Sequence, residues 1–220
     1  MQTLKVILTG ATGYVGEGVL LECLANPLVE RVLVVTRRRY DGAHPKLEQL
    51  IVPDFMALDE HAARLTGYDA CFYCAGVSSA GMSEAEYRRI TRDVTLHFAA
   101  ATARLNPGMV FCHISGHDVS GRKEKRMWAR VKWETENALM GLGLAAVYNI
   151  RAGIMNRTPG QRNVNIAYRV IALLYPWLRA RLPALVTTMR EVGLAMINVS
   201  LKGYHAPVLE VPDIRALAAS

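Results

Sequence analysis

Three glycines near the start of the chain, Gly10, Gly13 and Gly16, have the spacing of a turn in which the main chain approaches phosphate groups. They follow an apolar segment, 4–9, that is typical of a buried strand, and they precede a helical segment. The first glycine permits a sharp turn, the second admits a diphosphate, and the third lets the helix pack against the strand. Unpaired N–H groups at a helix N-terminus favour anions. The pattern predicts a dinucleotide diphosphate site formed by Gly10, Thr12, Gly13, Tyr14, Val15 and Gly16.

The residues after the second strand-like segment, 31–36, indicate which dinucleotide this turn binds. An acidic side chain there would hydrogen-bond the ribose hydroxyls of NAD(H) and repel a 2′-phosphate. This chain has Arg37, Arg38 and Arg39 instead, with no acid before Asp41. Guanidinium groups bind phosphate through two parallel hydrogen bonds. We therefore expect NADP(H) to be preferred, with Arg37 and Arg38 as its phosphate ligands, and NAD(H) is the alternative.

Strand-like and helical segments alternate along the chain, which predicts β-α-β units and a doubly wound parallel α/β sheet of the Rossmann type. The predicted strands are 4–9, 31–36, 50–52, 70–74, 109–115, 144–150 and 208–211. The predicted helices are 13–25, 59–65, 83–105, 125–140, 165–181 and 190–200. We expect a single domain over 1–220, in which 154–206 forms a small helical cap on the substrate side of the sheet.

The glycine turn, the pair Asp54-Phe55, the segment Cys74-Ala75-Gly76 and a helical lysine follow each other in an order that resembles the short-chain dehydrogenase/reductase superfamily. The chain is similar to its atypical and extended branches, which include the Tat-interacting-protein group of NAD(P)H-binding oxidoreductases and the NAD-dependent epimerases and dehydratases. The resemblance implies that Asp54 and Phe55 lie beside the adenine. It also implies that Cys74, Ala75 and Gly76 line the cofactor's ribose and diphosphate.

The same resemblance assigns roles near the reacting end of the cofactor. Ser115, at the end of the fifth strand, matches the family's substrate-binding serine, and Lys132 matches the lysine that holds the nicotinamide ribose. The segment 151–154, Arg-Ala-Gly-Ile, is similar to the family's Arg-Pro-Gly-Ile segment, which implies that Gly153 and Ile154 lie beside the nicotinamide. Two simpler interpretations stay open: Ser115 only turns the chain, and Lys132 is one more surface cation.

The resemblance breaks at the proton donor, because the tyrosine that the family has four residues before its lysine is Trp128 here. An indole N–H donates a hydrogen bond but does not release its proton at physiological pH. Three outcomes stay open: His117 donates the proton, a water held by Ser115 does so, or the protein binds NADP(H) without turnover as a regulatory or redox-sensing module. We expect an oxidoreductase with altered catalysis on a small carbonyl or alcohol.

The composition argues against several other classes of protein. Hydrophobic residues make up 51% and charged residues 20%, as in a compact α/β protein. We see no secretory signal pattern and no apolar run of bilayer length, so we expect a cytoplasmic protein. Cys71 and Cys74 have the spacing of a redox or zinc pair, but an odd separation on a strand directs them to opposite faces. We expect four reduced cysteines and no metal site.

The net charge of +7 raises the question of partners. The stretch 170–181, with Trp177, Arg179 and Arg181, is amphipathic and basic, and we expect it to close the substrate pocket; an anionic membrane surface is the alternative. The basic loop and helix contain Arg122, Lys123, Lys125, Arg126 and Arg130. They lack interleaved aromatics, so we do not expect nucleic acid as a partner, and an anionic substrate is the alternative. Two chains can form a homodimer through the helices 83–105 and 125–140.

Overall fold

A sheet of seven parallel strands forms the core of the computed structural model, which describes residues 3–119, 121, 125–164 and 166–220. The strands are β1 (Leu4–Thr9), β2 (Val29–Thr36), β3 (Leu47–Ile51), β4 (Ala70–Tyr73), β5 (Val110–Ile114), β6 (Ala146–Ile150), β7 (Ile154–Asn156), β8 (Val186–Thr188) and β9 (Val208–Leu209). The main sheet has the order β3-β2-β1-β4-β5-β6-β9, while β7 and β8 pair with each other. This confirms the predicted doubly wound α/β fold.

Helices follow most of the strands and cover both faces of the sheet. They are α1 (Tyr14–Ala25), α2 (Ala62–Leu65), α3 (Glu84–Arg88), α4 (Val94–Leu105), α5 (Met127–Met140), α6 (Ile166–Arg181), α7 (Met189–Lys202) and α8 (Val211–Ala218). A π-helical turn, Arg89–Asp93, joins α3 to α4, so the predicted helix 83–105 is continuous but not uniform. Ser83 and Glu86 form the predicted capping box at its start.

The order of the strands places a crevice between β1 and β4. Winding proceeds from β1 to β3 on one side and from β4 to β9 on the other, so the chain changes direction at this pair. Open α/β sheets bind ligands at such a point, beyond the carboxyl ends of the strands. The turns after β1, β2, β4 and β5 therefore meet at one edge of the sheet.

Each face of the sheet has its own apolar cluster, because alternate strand residues point to opposite sides. Val6 and Leu8 pack on the side of α1, α7 and α8, whereas Ile7 packs on the side of α4. Cys71 belongs to the second cluster and Cys74 packs against the first, so the pair points to opposite faces as predicted. All four cysteines are free. Burial on both sides explains the continuous apolar runs in the central strands.

The structure corrects the bounds of the predicted third strand and adds a helix. The third strand is Leu47–Ile51 and not 50–52, because an edge strand with a half-exposed, polar start carries little apolar signal. The sequence analysis also missed α8. Glu210 and Asp213 form a capping box at its start, and Pro212 occupies its first turn.

The segment 154–206, predicted as a cap, lies in two different places. β7, α6 and β8 lie outside the main sheet, close to its carboxyl edge. α7 instead packs beside α1, where Gly193 lies against Val19 and Glu22 and the side chains of Val192 and Met196 are fully buried. The cap prediction is wrong for α7, because its apolar face completes the core. Within the described residues, no helix is long and apolar enough to cross a membrane.

Candidate functional site

The glycine turn between β1 and α1 leaves no room for side chains at two of its three glycines. Gly10 has a φ of +75°, and a Cβ atom there would lie 2.6 Å from the carbonyl oxygen of Cys74. A Cβ atom on Gly16 would overlap the carbonyl oxygen of Gly10. The N–H of Gly13 donates to that same oxygen at 2.9 Å and closes the turn. The close main-chain packing therefore requires glycine at positions 10 and 16.

The N-terminus of α1 has the properties of an anion site. Gly13 is the N-cap residue, and no side chain caps the helix. The N–H of Glu17 donates to the carbonyl oxygen of Gly13 at 3.0 Å, so the N–H groups of Tyr14, Val15 and Gly16 lie before the first helical bond. The helix dipole adds positive potential at the same place. This arrangement fits a diphosphate.

Thr9 connects the glycine turn to the loop after β4. Its hydroxyl oxygen accepts hydrogen bonds from the N–H groups of Cys74 and Ala75, both at 3.1 Å. Cys74 and Ala75 are half-buried and Gly76 is exposed. The two main-chain segments that the sequence predicted to line the diphosphate and ribose therefore lie next to each other at the crevice between β1 and β4.

The predicted adenosine end of the site lies at the carboxyl ends of β2 and β3. Arg37, Arg38 and Arg39 are exposed, and within the described part of the chain no carboxylate lies in ion-pair range of any of them. Asp54 is exposed, and its carboxylate accepts a hydrogen bond from the main chain two residues on. Phe55 is buried against a phenylalanine of α4, which makes it a core residue as well as a neighbour of the site.

The predicted catalytic residues lie on one face of α5, opposite the ends of β5 and β6. Trp128 and Lys132 are one turn apart, and both pack against Gly116: a Cβ atom there would lie 2.7 Å from the indole and 3.3 Å from the lysine chain. The amino group of Lys132 donates to the carbonyl oxygen of Ile114 at 3.3 Å. Helix periodicity and strand ends thus bring Ser115, Trp128 and Lys132 together, as predicted.

A buried carboxylate at the centre of this face was missed by sequence reasoning. Glu136 is 1% exposed and accepts a 2.5 Å hydrogen bond from the Ser115 hydroxyl. The guanidinium of Arg151 donates to both of its oxygens, at 2.9 and 2.5 Å. Arg151 also donates to Glu210 at 3.0 Å. Glu136 lies four residues after Lys132 and so shares its helix face, which was an available signal, whereas nothing local connects Arg151 to Glu210.

Two ionisable groups at this face have displaced pKa values. Burial lowers the pKa of Lys132 to about 8, and the carboxylate of Glu136 opposes that change. Burial, and then the charge of Lys132, lower the pKa of His113 to about 3, so this imidazole is neutral at physiological pH. Its Nδ1 lies 3.0 Å from the side-chain oxygen of Asn149. Lys132 is therefore the group here that exchanges a proton slightly above neutral pH.

A sequence model of the NAD dependent epimerase/dehydratase family matches residues 6–137, more than half of the chain. The chain belongs to the NAD dependent epimerase/dehydratase family. It is 27% identical to Protein HTATIP2 of Rattus norvegicus over 158 residues, a match that spans 70% of this chain and 64% of that protein. It is 26% identical to Protein fmp52, mitochondrial, of Emericella nidulans over 220 residues, or 93% of this chain and 90% of that protein.

The fold of the chain is also similar to a solved structure of this kind, MoeE5 in complex with UDP-glucuronic acid and NAD. The TM-score is 0.68 at 17% identity, over 98% of this chain and 81% of that one. Family membership confirms the resemblance drawn from the motifs. The chain is an NAD(P)-binding, oxidoreductase-like protein, so the predicted class of cofactor, a nicotinamide dinucleotide, is confirmed at that level.

The remaining predicted site residues of this family member lie around the same edge. Gly153 has a φ of +66° and packs so closely on the carbonyl oxygen of Leu185 that a side chain would overlap it, and Ile154 begins β7 with its side chain 37% exposed. The imidazole of His117 has its Nδ1 3.9 Å from a carboxylate oxygen of Glu210. Arg122 and Lys123, expected in a basic loop, lie outside the described residues.

A strap from the last third of the chain, residues 155–163, fixes α1 from outside. The Tyr14 hydroxyl donates to the carbonyl oxygen of Met155 at 2.8 Å, and the side-chain amide of Gln161 donates to the Tyr14 carbonyl at 2.7 Å. The buried carboxylate of Glu17 accepts main-chain N–H groups of residues 162 and 163, at 2.9 and 2.7 Å. The Tyr14 side chain thus anchors this strap. Its predicted contact with the cofactor stays a prediction.

Proposed function

We propose that the protein is an NADP(H)-dependent oxidoreductase acting on a small carbonyl or alcohol compound. The observation that carries this proposal is the glycine turn at the β1–β4 crevice, followed on the neighbouring strand by three exposed arginines. The uncapped N-terminus of α1 supplies N–H groups to a diphosphate. Arg37 and Arg38 then supply free guanidinium groups on the adenosine side, where an NAD(H)-selective protein has an acid.

The cofactor preference is tested by titrating the purified protein with NADPH and NADH by calorimetry. We expect NADPH to bind at least tenfold more tightly, and Arg37→Ala together with Arg38→Ala to remove most of that difference. Arg104→Ala is the matched control, because Arg104 is also exposed but lies at the end of α4 that leads into β5, away from the carboxyl edge. Equal affinities for the two nucleotides would end the NADP(H) assignment and leave a dinucleotide site.

The chain's part in the chemistry is to hold the substrate oxygen and exchange a proton there. A bound nicotinamide supplies or accepts the hydride. We assign the role of proton donor to Lys132, because burial lowers its pKa to about 8 and its side chain lies against Gly116, one residue from Ser115. His117, one of the donors that the sequence left open, lies beside Glu210. In this proposal Lys132 replaces the missing tyrosine, and the indole of Trp128 forms a wall of the site.

A panel of carbonyl compounds with NADPH tests turnover and its proton donor. We expect the rate of carbonyl reduction at saturating cofactor to fall as pH rises through about 8, because the ammonium form of Lys132 is the acid. Lys132→Arg keeps a positive charge without a releasable proton, so cofactor binding persists while turnover is lost. Lys202→Met, an exposed lysine at the end of α7, is the control. A rate that follows His117→Ala instead would assign the proton to His117.

A second function, cofactor binding without turnover, is favoured by a separate observation. The Ser115 hydroxyl donates a hydrogen bond to Glu136. Because its one hydrogen is used there, it is poorly placed to hold a substrate oxygen. Such a protein would report the redox state of NADP(H) to a partner. Trp128→Tyr distinguishes the two functions: carbonyl reduction that appears only in this variant supports the binding module, and a parent enzyme with measurable turnover contradicts it.

A further inference from the structure

The longest part of the chain without acidic residues lies between two glutamates of the structure, Glu136 and Glu191. Residues 137–190 contain seven arginines and no aspartate, glutamate or lysine. Arg151 and Arg179 have carboxylate partners, the latter through two hydrogen bonds to Glu191 at 2.9 and 2.6 Å. The segment as a whole therefore carries an excess of positive charge.

The three most exposed large apolar side chains of the described residues lie in the same acid-free segment, and a less exposed leucine follows them. Leu173 is 82% exposed, Trp177 59%, Leu174 51% and Leu182 40%. Leu173, Leu174 and Trp177 follow each other at helical spacing and so occupy one face of α6. We call Leu173, Leu174 and Trp177 the outer face of α6. Soluble chains rarely leave a leucine pair and a tryptophan together in water without a partner.

The opposite side of α6 has its partners within the protein. The ring of Tyr168 stacks on Tyr14 of the glycine turn, with centroids 3.6 Å apart. Arg179 donates to the Tyr175 hydroxyl at 3.1 Å and is paired with Glu191 at the start of α7. These contacts fix the orientation of the helix. The outer face therefore points away from the side of α6 that contacts the glycine turn and α7. The expectation that this stretch closes the substrate pocket stays a prediction.

Two arginines follow the outer face along the chain, one at the end of α6 and one in the first turn of α7. Arg181 and Arg190 are exposed, and in the part of the chain that the structure describes neither has a carboxylate in ion-pair range. A tryptophan and leucines bordered by arginines match a bilayer with anionic lipid, where the rings and aliphatic chains enter the headgroup boundary and the guanidinium groups meet phosphate. A second copy of this face would bring like charges together, which opposes self-association here.

We propose that the outer face of α6 is a docking surface for an anionic lipid bilayer, on which the protein lies as a peripheral protein. Because α6 contacts the glycine turn through Tyr168, docking places the cofactor site about one helix diameter, or about 10 Å, from the lipid. This inference does not depend on turnover or on the choice between NADP(H) and NAD(H). A peripheral contact is compatible with the expected cytoplasmic location.

Co-sedimentation of the full chain with vesicles tests the proposal. We expect binding to phosphatidylcholine vesicles that contain phosphatidylserine, little binding to phosphatidylcholine alone, and release as salt rises. The pair Leu173→Gln and Trp177→Gln should weaken binding at least tenfold. The pair Arg181→Glu and Arg190→Glu should do the same, since each basic residue near an anionic surface contributes about fivefold. NADPH affinity and thermal melting of the variants show whether they remain folded.

Matched controls distinguish binding through this surface from nonspecific adsorption to the vesicles. Leu142→Gln removes an exposed leucine after α5, and Arg104→Glu reverses an exposed charge at the end of α4. Both should bind vesicles as the parent does. The proposal is overturned by equal binding of all variants, or by no binding to either vesicle. It is also overturned if ultracentrifugation shows a dimer that the Trp177 variant dissociates, because the outer face then binds a second copy.

Discussion

The two ends of the candidate site consist of different atoms: main-chain atoms form one end and side chains form the other. We therefore expect the two ends to respond differently to substitutions. The diphosphate end, between β1 and β4, consists of main-chain atoms: the carbonyl of Gly10, the amides of Cys74 and Ala75, and the open N-terminus of α1. The reacting end, between β5 and α5, consists of side chains that neutralise each other in a buried network. The glycine turn keeps its geometry through main-chain contacts, whereas the side-chain end has Trp128 where the resemblance implies a tyrosine and is stabilised by the Glu136–Arg151 ion pair.

The largest expected effect is at the side-chain end. Glu136→Ala leaves the buried guanidinium of Arg151 without its main partner and the Ser115 hydroxyl without an acceptor. We expect a loss of about 3–5 kcal/mol in the free energy of unfolding, measured by urea denaturation. The double variant Glu136→Leu with Arg151→Met removes both charges and should recover part of the loss. If the double variant is no better than Glu136→Ala, the network does not act as an ion pair.

The main-chain end is tested by Gly10→Ala. The new Cβ atom would meet the carbonyl of Cys74 in a residue with φ of +75°, so we expect a loss of about 2–4 kcal/mol and dinucleotide binding weakened at least a hundredfold. Gly76→Ala is the informative control, since open space surrounds that position and stability should be unchanged. Weaker cofactor binding in Gly76→Ala, with unchanged melting, would place the cofactor at that residue.

Acid tests the reacting end separately, because the buried imidazole of His113 lies there. The pKa of His113 is about 3 in the fold against 6.5 in the unfolded chain, so the unfolded chain binds more protons between these pH values. Stability therefore falls as pH drops through this window by about 1.4 kcal/mol per pH unit, and we expect His113→Gln to have lost roughly 2–3 kcal/mol less than the parent at about pH 4.5. His205→Gln, an exposed histidine, should follow the parent. Parallel pH curves for His113→Gln and the parent contradict a neutral buried imidazole.

The smallest effect concerns the bond between the two main-chain segments. Thr9→Val keeps the shape of the side chain but removes the acceptor for the N–H groups of Cys74 and Ala75. We expect a loss of about 1–2 kcal/mol in stability and a several-fold rise in the dissociation constant for NADPH. Thr66→Val removes an exposed hydroxyl at the end of α2 and should change neither quantity. An intact cofactor site in Thr9→Val would show that the glycines alone hold the turn.

Local rules were enough for the elements whose signal lies within a few residues. The capping box at Ser83, the glycine turn and the odd spacing of Cys71 and Cys74 each depend on neighbours in sequence, and the structure agrees with all three. The face of α5 that contains Trp128 and Lys132 follows from helix periodicity. The position of α7 could not be predicted from the sequence, because an amphipathic pattern does not indicate which surface the helix covers.

The sequence by itself determined the α/β fold, the glycine turn and the placement of Trp128 four residues before Lys132, because these depend on residue type and on spacing over short distances. Only the tertiary structure decided that Glu136 accepts hydrogen bonds from Ser115 and Arg151, and that Arg151 also donates to Glu210. The outward orientation of the α6 leucines was decided in the same way. The reason is that charge pairing and burial are set by which distant segments meet, and a buried carboxylate is stable only where such a partner arrives.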